Sequence, residues 1–233
     1  MSAPNEVVFL LDVDNTLLNN DRVLEDFRAH LILQFGANSA ARYWEIFQER
    51  MDELGYADYL GALQHYRWDS PEALRDHPSM LQLASFLLEY PFAERLYPHA
   101  LEVVARLNSF GTTVILTDGD SAYQPRKVQR SGLWDAVSGR VLIYIHKEQM
   151  LDSVQRHYPA RHYVMVDDKL RLLSAMKSVM QQRLTTVLPR QGRFALDTAV
   201  IAAFPAADIQ IERISDLLEL DFSGVLGPNL TSS

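Results

Sequence analysis

Val7-Val8-Phe9-Leu10-Leu11-Asp12-Val13-Asp14-Asn15-Thr16-Leu17 is an apolar run of strand length that stops at two acids spaced i, i+2 and followed by a hydroxyl. In a parallel α/β sheet such a run is a central strand buried on both faces, and ligands gather just beyond the carboxyl ends of such strands. If extended geometry persists, Asp12 and Asp14 leave one face and converge on one point. Two carboxylates that close repel unless compensated. Mg²⁺, which takes one or two carboxylates together with waters and phosphate oxygens, is the usual compensation. Asp, Asn and Thr also serve turns and helix caps, so this stretch alone is equally a strand end with an Asp turn.

Downstream the pattern changes. Asn19-Asn20-Asp21 is a polar turn, and Val23 to about Tyr90 shows aromatic-rich helical periodicity without a strand. Tyr43, Trp44 and Phe47 fall at i, i+1, i+4, and Leu81, Leu83, Ala84, Leu87 and Leu88 form an apolar stripe. Gly36, Gly55, Gly61, Pro71 and Pro78 divide the region into about four helices. Ser70-Pro71-Glu72 resembles an N-cap with proline at the first helical position. Tyr43, Trp44 and Trp68 are expected in the core of this insertion.

From Tyr97-Pro98 an alternating pattern resumes. His99 to Ser109 reads as a helix with Leu101, Val104, Ala105 and Leu107 on one face, ended by Phe110-Gly111. Thr112-Thr113-Val114-Ile115-Leu116 is a second buried strand, stopping at Thr117-Asp118-Gly119-Asp120. A helix through Arg126, Lys127 and Val128 runs to Gly132. Val141 to Ile145 is a third strand, ending at His146-Lys147-Glu148, and Tyr163 to Val166 a fourth, ending at Asp167-Asp168. Helices are expected over Glu148 to Tyr158 and Leu170 to Met180, strands over Leu184 to Leu188 and Ile209 to Ile211, and a final helix over Ser215 to Leu220. Strands alternating with helices imply a parallel sheet with right-handed crossovers. The tail from Gly227 to Ser233 is expected to be disordered.

Composition sets outer limits. The chain has 233 residues, 48% hydrophobic and 22% charged, enough for a sizeable core in one large domain or a core with a modest second one. Its net charge of -8, 22 basic against 30 acidic residues, disfavours non-specific binding to nucleic acid or to an anionic membrane. Cysteine is absent, which removes disulfides, thiolate metal sites and thiol catalysis. No basic region precedes an uninterrupted apolar run at the N-terminus, and no stretch nears the roughly 18 apolar residues of a membrane span. The expectation is a cytoplasmic, soluble protein acting on a small substrate or a protein partner, with its oligomeric state open. The seven histidines show no His-Glu-x-x-His spacing, and no Walker loop, Gly-x-Gly-x-x-Gly or Gly-x-Ser-x-Gly element occurs.

Four successive strand ends thus carry Asp/Asp, Thr/Asp, Lys and Asp/Asp. In a parallel sheet these ends share one edge and can converge. This order resembles the haloacid dehalogenase-like superfamily of hydrolases, chiefly phosphatases, whose Rossmann-like core often carries a helical cap inserted after the first motif. The resemblance implies a core of residues 1–18 and 96–233, a helical cap of residues 19–95 and a small phosphorylated metabolite as substrate. It implies Asp12 as nucleophile, Asp14 as general acid/base, and Thr117 with the backbone N–H of Asp118 as donors to phosphoryl oxygens. Lys147 matches the basic residue of the third motif. Its rival is Lys127, and the place of Lys147 at a strand end upstream of the fourth motif favours it. Asp168, with Asp167 beside it, would hold Mg²⁺ together with Asp12 and the backbone carbonyl of Asp14. The chain departs from the family in having Asp118 where Asn is frequent, Glu148 after Lys147 where proline is frequent, and Lys169-Leu170-Arg171-Leu172 where a further acid often follows.

The chemistry is consistent with those roles: a carboxylate can attack phosphorus, and a second acid can protonate the leaving alcohol and then activate water. Arg42, Arg50, Tyr56 and Arg67 are candidates for substrate contacts from the cap. The same fold could also carry a metal-free dehalogenase, which has no need of Asp14, or a phosphomutase, or a binding protein that kept the architecture without catalysis.

Overall fold

The computed structural model describes residues 5–75 and 77–222. The expectation of a disordered tail lies outside the described residues. Six strands, β1 (Asn5–Leu11), β2 (Thr112–Asp118), β3 (Val141–Tyr144), β4 (Ala160–Val166), β5 (Leu184–Pro189) and β6 (Ile209–Ile211), form one sheet in the order 3-2-1-4-5-6. Every neighbouring pair is parallel. The opening apolar run is the centre of the sheet, with Leu11 in register with Ile115 on one side and Val166 on the other.

Val8 to Leu11 are wholly buried because the two faces of β1 feed two cores. Phe9 and Leu11 face one, with Val103, Val104 and Leu107 of α6 (Ala100–Phe110), while Val8 and Leu10 face the other, with Leu151, Leu173 and Met176. The alternation follows the two-residue period of a strand. α7 (Tyr123–Arg130) and α8 (Leu133–Ala136) extend the first layer, α9 (Leu151–His157) and α10 (Leu170–Met180) the second. Burial selects Ala100, Val103, Val104 and Leu107 in α6 and leaves Leu101 exposed, so the inward face is turned from the expected one.

Between β1 and β2 the chain makes a helical insert of α1 (Asn20–Phe35), α2 (Ala37–Leu54), α3 (Tyr59–Asp69), α4 (Glu72–Arg75) and α5 (Pro78–Glu89). Its core is aromatic, with Phe27 edge-on to Tyr43 at 5.2 Å and Phe47 stacked on Tyr59 at 4.8 Å. Gly36 and Gly55 end helices as expected, but Gly61 lies inside α3. It is needed there for space: a Cβ would fall 1.9 Å from Asp58 Oδ2, and Asp58 is the α3 N-cap, accepting the Gly61 N–H at 2.8 Å. Ser70 does not cap α4, since its hydroxyl donates to the Tyr66 carbonyl at 2.7 Å. Trp68 is 63% exposed under the Arg75 guanidinium, and Leu81 is 56% exposed while Met80, Leu83 and Leu87 face inward.

The insert leaves and rejoins the sheet layer at one place. Leu18 pairs antiparallel with Leu96, Asn19 N–H donates to the Arg95 carbonyl at 2.8 Å, and Tyr97 N–H donates to the Leu17 carbonyl at 2.9 Å. Beyond β3, Lys147–Gln149 forms a 3-10 turn ahead of α9, so the expected Glu148 helix starts at Leu151. The helix expected at Ser215 is likewise a 3-10 turn, Ile214–Leu218. Two short helices that the pattern did not announce, α11 (Gly192–Ala195) and α12 (Thr198–Ala203), follow β5. No helix among the described residues is long and apolar enough to cross a membrane.

Candidate active site

Asp12 and Asp167 are brought together by sheet pairing. Asp12 N–H donates to the Val166 carbonyl at 3.0 Å, so the residue after β1 lies beside the residue after β4. One carboxylate oxygen each from Asp12, Asp167 and Asp168 lies within 4.8 Å of the others, and all three residues are buried. Lys147 enters from the third strand end and is buried, with Nζ 2.5 Å from Asp12 Oδ1 and 2.6 Å from Asp167 Oδ2. It also donates to the Leu116 carbonyl at 3.2 Å. Burial alone would lower the Lys147 pKa, but the carboxylates of Asp12, Asp167 and Asp118 overturn this and raise it well above the ordinary value.

The acids feel the same enclosure. Burial pushes Asp167 up to about 6 against the pull of Lys147, and burial with the Asp167 and Asp12 charges pushes Asp168 well above the carboxylate range. Both oxygens of Asp168 are buried without a hydrogen-bond partner. Buried polar groups are almost always satisfied, so a carboxylate with neither oxygen paired marks room for a cation. Three hard oxygen ligands fit Mg²⁺ and do not fit a metal that prefers nitrogen or sulfur. The loop is held at both ends: Asp167 Oδ1 accepts the Lys169 N–H at 2.8 Å, and Asp168 N–H donates to the Thr16 hydroxyl at 3.0 Å.

Asp14 is held apart from this cluster. Lys127, wholly buried on α7, donates to both of its oxygens at 2.7 and 2.9 Å and to Asn20 Oδ1 at 3.0 Å. The expected convergence of two strand carboxylates thus gives way to two acids on two lysines. Strand geometry ends at Leu11, and Asn15, with φ of 61°, turns the chain in the left-handed conformation that Asn tolerates. The contest between the two lysines resolves in space into two separate partnerships, Lys147 with Asp12 and Lys127 with Asp14.

Thr117 and Asp118 stand at the end of β2 beside these acids. Gln124 Nε2 donates to Thr117 Oγ1 at 2.9 Å and reaches Asp14 Oδ2 at 3.4 Å. Asp118 Oδ1 accepts the Lys147 N–H at 2.7 Å, and burial raises its pKa in spite of the Lys147 charge. Above lies a cleft of about 220 Å³ bounded by Asp14, Asp118, Lys169 and, from the insert, Phe47 and Tyr56. Tyr56 is the only one of the four insert side chains expected at the substrate to line it. Arg42 pairs with Asp69 at 2.7 Å, Arg50 is drawn to Asp58, and Arg67 donates to the Arg75 carbonyl at 3.2 Å. Gln124, Asn20, Thr16 and Lys169 were not singled out in the sequence as site residues. Only Thr16 and Lys169 carried a signal, through their places beside strand-end acids.

Such a sheet, with a helical insert after its first strand and acids from three strand ends gathered with a lysine from a fourth, defines a hydrolase of the haloacid dehalogenase-like type. The chain belongs to that family, whose model, haloacid dehalogenase-like hydrolase, matches residues 7–179. A haloacid dehalogenase-like hydrolase from Burkholderia xenovorans LB400 is 59% identical, with a TM-score of 0.89 over 96% of this chain and 100% of its own. The fold is shared with the HAD-hydrolase YfnB from Bacillus subtilis, bound to magnesium, at 16% identity and TM-score 0.61 over 92% of this chain and 97% of that one. It is shared also with L-2-haloacid dehalogenase from Xanthobacter autotrophicus, at 16% identity and TM-score 0.55 over 91% and 97%. None of the curated proteins matches the sequence.

Proposed function

We propose that the chain is a Mg²⁺-dependent phosphatase that hydrolyses a small phosphomonoester through an aspartyl phosphate on Asp12. The observation that carries this is the buried Asp12, Asp167 and Asp168 cluster with Asp168 unsatisfied at both oxygens. The magnesium reported with YfnB supports the same choice of ion. Asp12, Asp167, Asp168 and the Asp14 carbonyl would hold the ion, which when bound would neutralise phosphate charge.

Asp12 attacks phosphorus while Lys147 fixes its carboxylate and offsets the charge of the incoming phosphoryl group. Thr117 and the Asp118 N–H donate to the equatorial oxygens, fixed donors aimed at developing charge. Asp14, with both oxygens on Lys127, is arranged as the base that takes a proton from water as the phosphoenzyme breaks down. Protonating the leaving oxygen in the first half requires that carboxyl to turn out of its pair with Lys127. Displacement of a halide at carbon needs no proton donor and would leave Asp14 without a leaving oxygen to protonate.

Release of inorganic phosphate from a panel of phosphomonoesters tests the reading, with Mg²⁺, with EDTA, and with Asp12→Asn. Turnover should vanish in EDTA and fall at least about a thousandfold in the nearly isosteric variant, which keeps the fold. No release from any ester by a folded, Mg²⁺-binding protein would overturn it.

A further inference from the structure

Lys127, Lys147 and Lys169 stand around the acids, and an ammonium has three N–H groups to give. Lys147 Nζ turns them on three oxygens, 2.5 Å from Asp12 Oδ1, 2.6 Å from Asp167 Oδ2 and 3.2 Å from the Leu116 carbonyl. Lys127 Nζ does the same with both oxygens of Asp14, at 2.7 and 2.9 Å, and with Asn20 Oδ1 at 3.0 Å. Both lysines are wholly buried, and neither lines the cleft. Neither can donate to a substrate oxygen without giving up a contact it already makes.

Lys169 is the opposite case. It lines the cleft, and its backbone N–H is fixed on Asp167 Oδ1 at 2.8 Å. Among the described residues its ammonium has no hydrogen bond and no ion pair, and it lies 5.5 Å from the centre of the Phe194 ring. The strongest charge acting on it is that of Asp12, followed by Asp167. A cation with its donors free thus stands in the field of the residue that attacks phosphorus.

The other charges of the cleft are less suited to a phosphoryl group. Arg171 and Arg193 stand at the rim, 55% and 61% exposed, each 3.5 Å from an acid, Glu148 and Asp21 respectively. Asp120 keeps a buried oxygen without a partner while its Oδ1 accepts the N–H groups of Ala122 and Tyr123, but a carboxylate repels a phosphate. A phosphate arriving beside Asp14 and Asp118 needs a cation on its open side, and an ammonium bonded to an anionic oxygen makes about twice the bond of a neutral pair.

Resting on the phosphatase reading above, we infer that Lys169 is a catalytic residue that donates to a non-bridging oxygen of the phosphoryl group, both in the ester and in the phosphate released. Lys147 then acts from behind, pinning Asp12, while Lys169 holds the group that Asp12 receives. The bond formed is from Asp12 to phosphorus and the bond broken is from phosphorus to the ester oxygen. Lys169 keeps its protons throughout.

The test measures the affinity of Mg²⁺-loaded protein for inorganic phosphate by calorimetry, and kcat/KM for phenyl phosphate and 4-carboxyphenyl phosphate, in wild type, Lys169→Met and Lys169→Arg. Lys169→Met should weaken phosphate binding and lower kcat/KM for both esters by at least about tenfold, and Lys169→Arg should recover much of the phosphate affinity. Affinity for Mg²⁺ should not fall in Lys169→Met, since the change takes a cation away from the acids. Should that variant not fold, Lys169→Gln carries the same comparison. Unchanged phosphate affinity in the folded variant, or a loss that follows a loss of Mg²⁺, overturns the inference and leaves the phosphatase reading standing. A loss confined to 4-carboxyphenyl phosphate places Lys169 on the leaving group and overturns it equally. Phosphate bound by wild type and lost in Lys169→Met, in a protein that hydrolyses no ester, upholds the contact and removes the phosphatase reading alone.

Discussion

Among the described residues, Lys147 is the one ammonium in direct contact with two of three mutually close buried carboxylates, and it is as fully buried as any core residue. Replacing it with methionine keeps the volume and removes the charge. Leaving buried charges without a partner costs about 3 to 5 kcal/mol, so Lys147→Met in EDTA should lose stability of that order in urea unfolding. Mg²⁺ should restore part of the loss, because a cation bound only to the folded state offsets the same repulsion. Asp12, Lys147, Asp167 and Asp168 were legible in the sequence because each ends an apolar strand, and strand ends in a parallel sheet converge whatever their separation along the chain. The partners of Asp14 were not. Lys127 stood only as a rival of Lys147 and Gln124 was not marked, because both sit on a helix where a polar residue reads as solvated, and they are buried where α7 meets Asp14, just after β1.

Among the elements, α7 does the most joining. Arg126 and Arg130, one turn apart, fasten the C-terminus of α5: Arg126 donates to the Leu88 carbonyl and Glu89, Arg130 to the carbonyls of Glu89 and Tyr90 and to the Glu89 carboxylate. Cations at a helix C-terminus satisfy its orphan carbonyls and its dipole together. The next side chain along, Lys127, reaches Asp14 and Asn20, so the insert is tied at both its first and last helices to the helix that holds Asp14. Removing both arginines should loosen α5 by about 1 to 3 kcal/mol, seen as faster amide hydrogen exchange in α5 with β1 and β4 unchanged. The carboxylate ion pairs themselves add little, since the Glu89 side chain is 56% exposed. Sequence pattern announced α7 as a helix but not this clamp, because two arginines four apart look the same whether they meet water or a neighbouring helix end. The turned faces of α5 and α6 have a similar origin: Leu81 and Leu101 are apolar, but period alone does not choose between adjacent stripes of equal apolarity.

At the scale of the molecule, the carboxylate cluster sets stability against function. Three buried acids at the edge of a sheet repel, and one lysine in contact does not balance them. At Mg²⁺ about ten times its dissociation constant the folded state gains about 1.4 kcal/mol, and the melting temperature should rise by about 3 to 6 °C over that in EDTA. Asp168→Asn should melt above wild type in EDTA, show little response to Mg²⁺, and lose turnover. A wild-type melting temperature indifferent to Mg²⁺ would count against the ion site. The sheet was legible almost strand for strand, since buried parallel strands are continuous apolar runs with sharp polar ends. The α11 and α12 segment was not, because short helices of one or two turns carry too few residues to show a period. Finally, the antiparallel touch of Leu18 and Leu96 makes the insert a detour with a single doorway. Cutting it out at that doorway and closing the gap with a tight turn would leave every rung of the sheet in place. A lineage built this way can exchange the roof over its reaction, and with it the molecules it admits, without disturbing the floor on which the reaction is done.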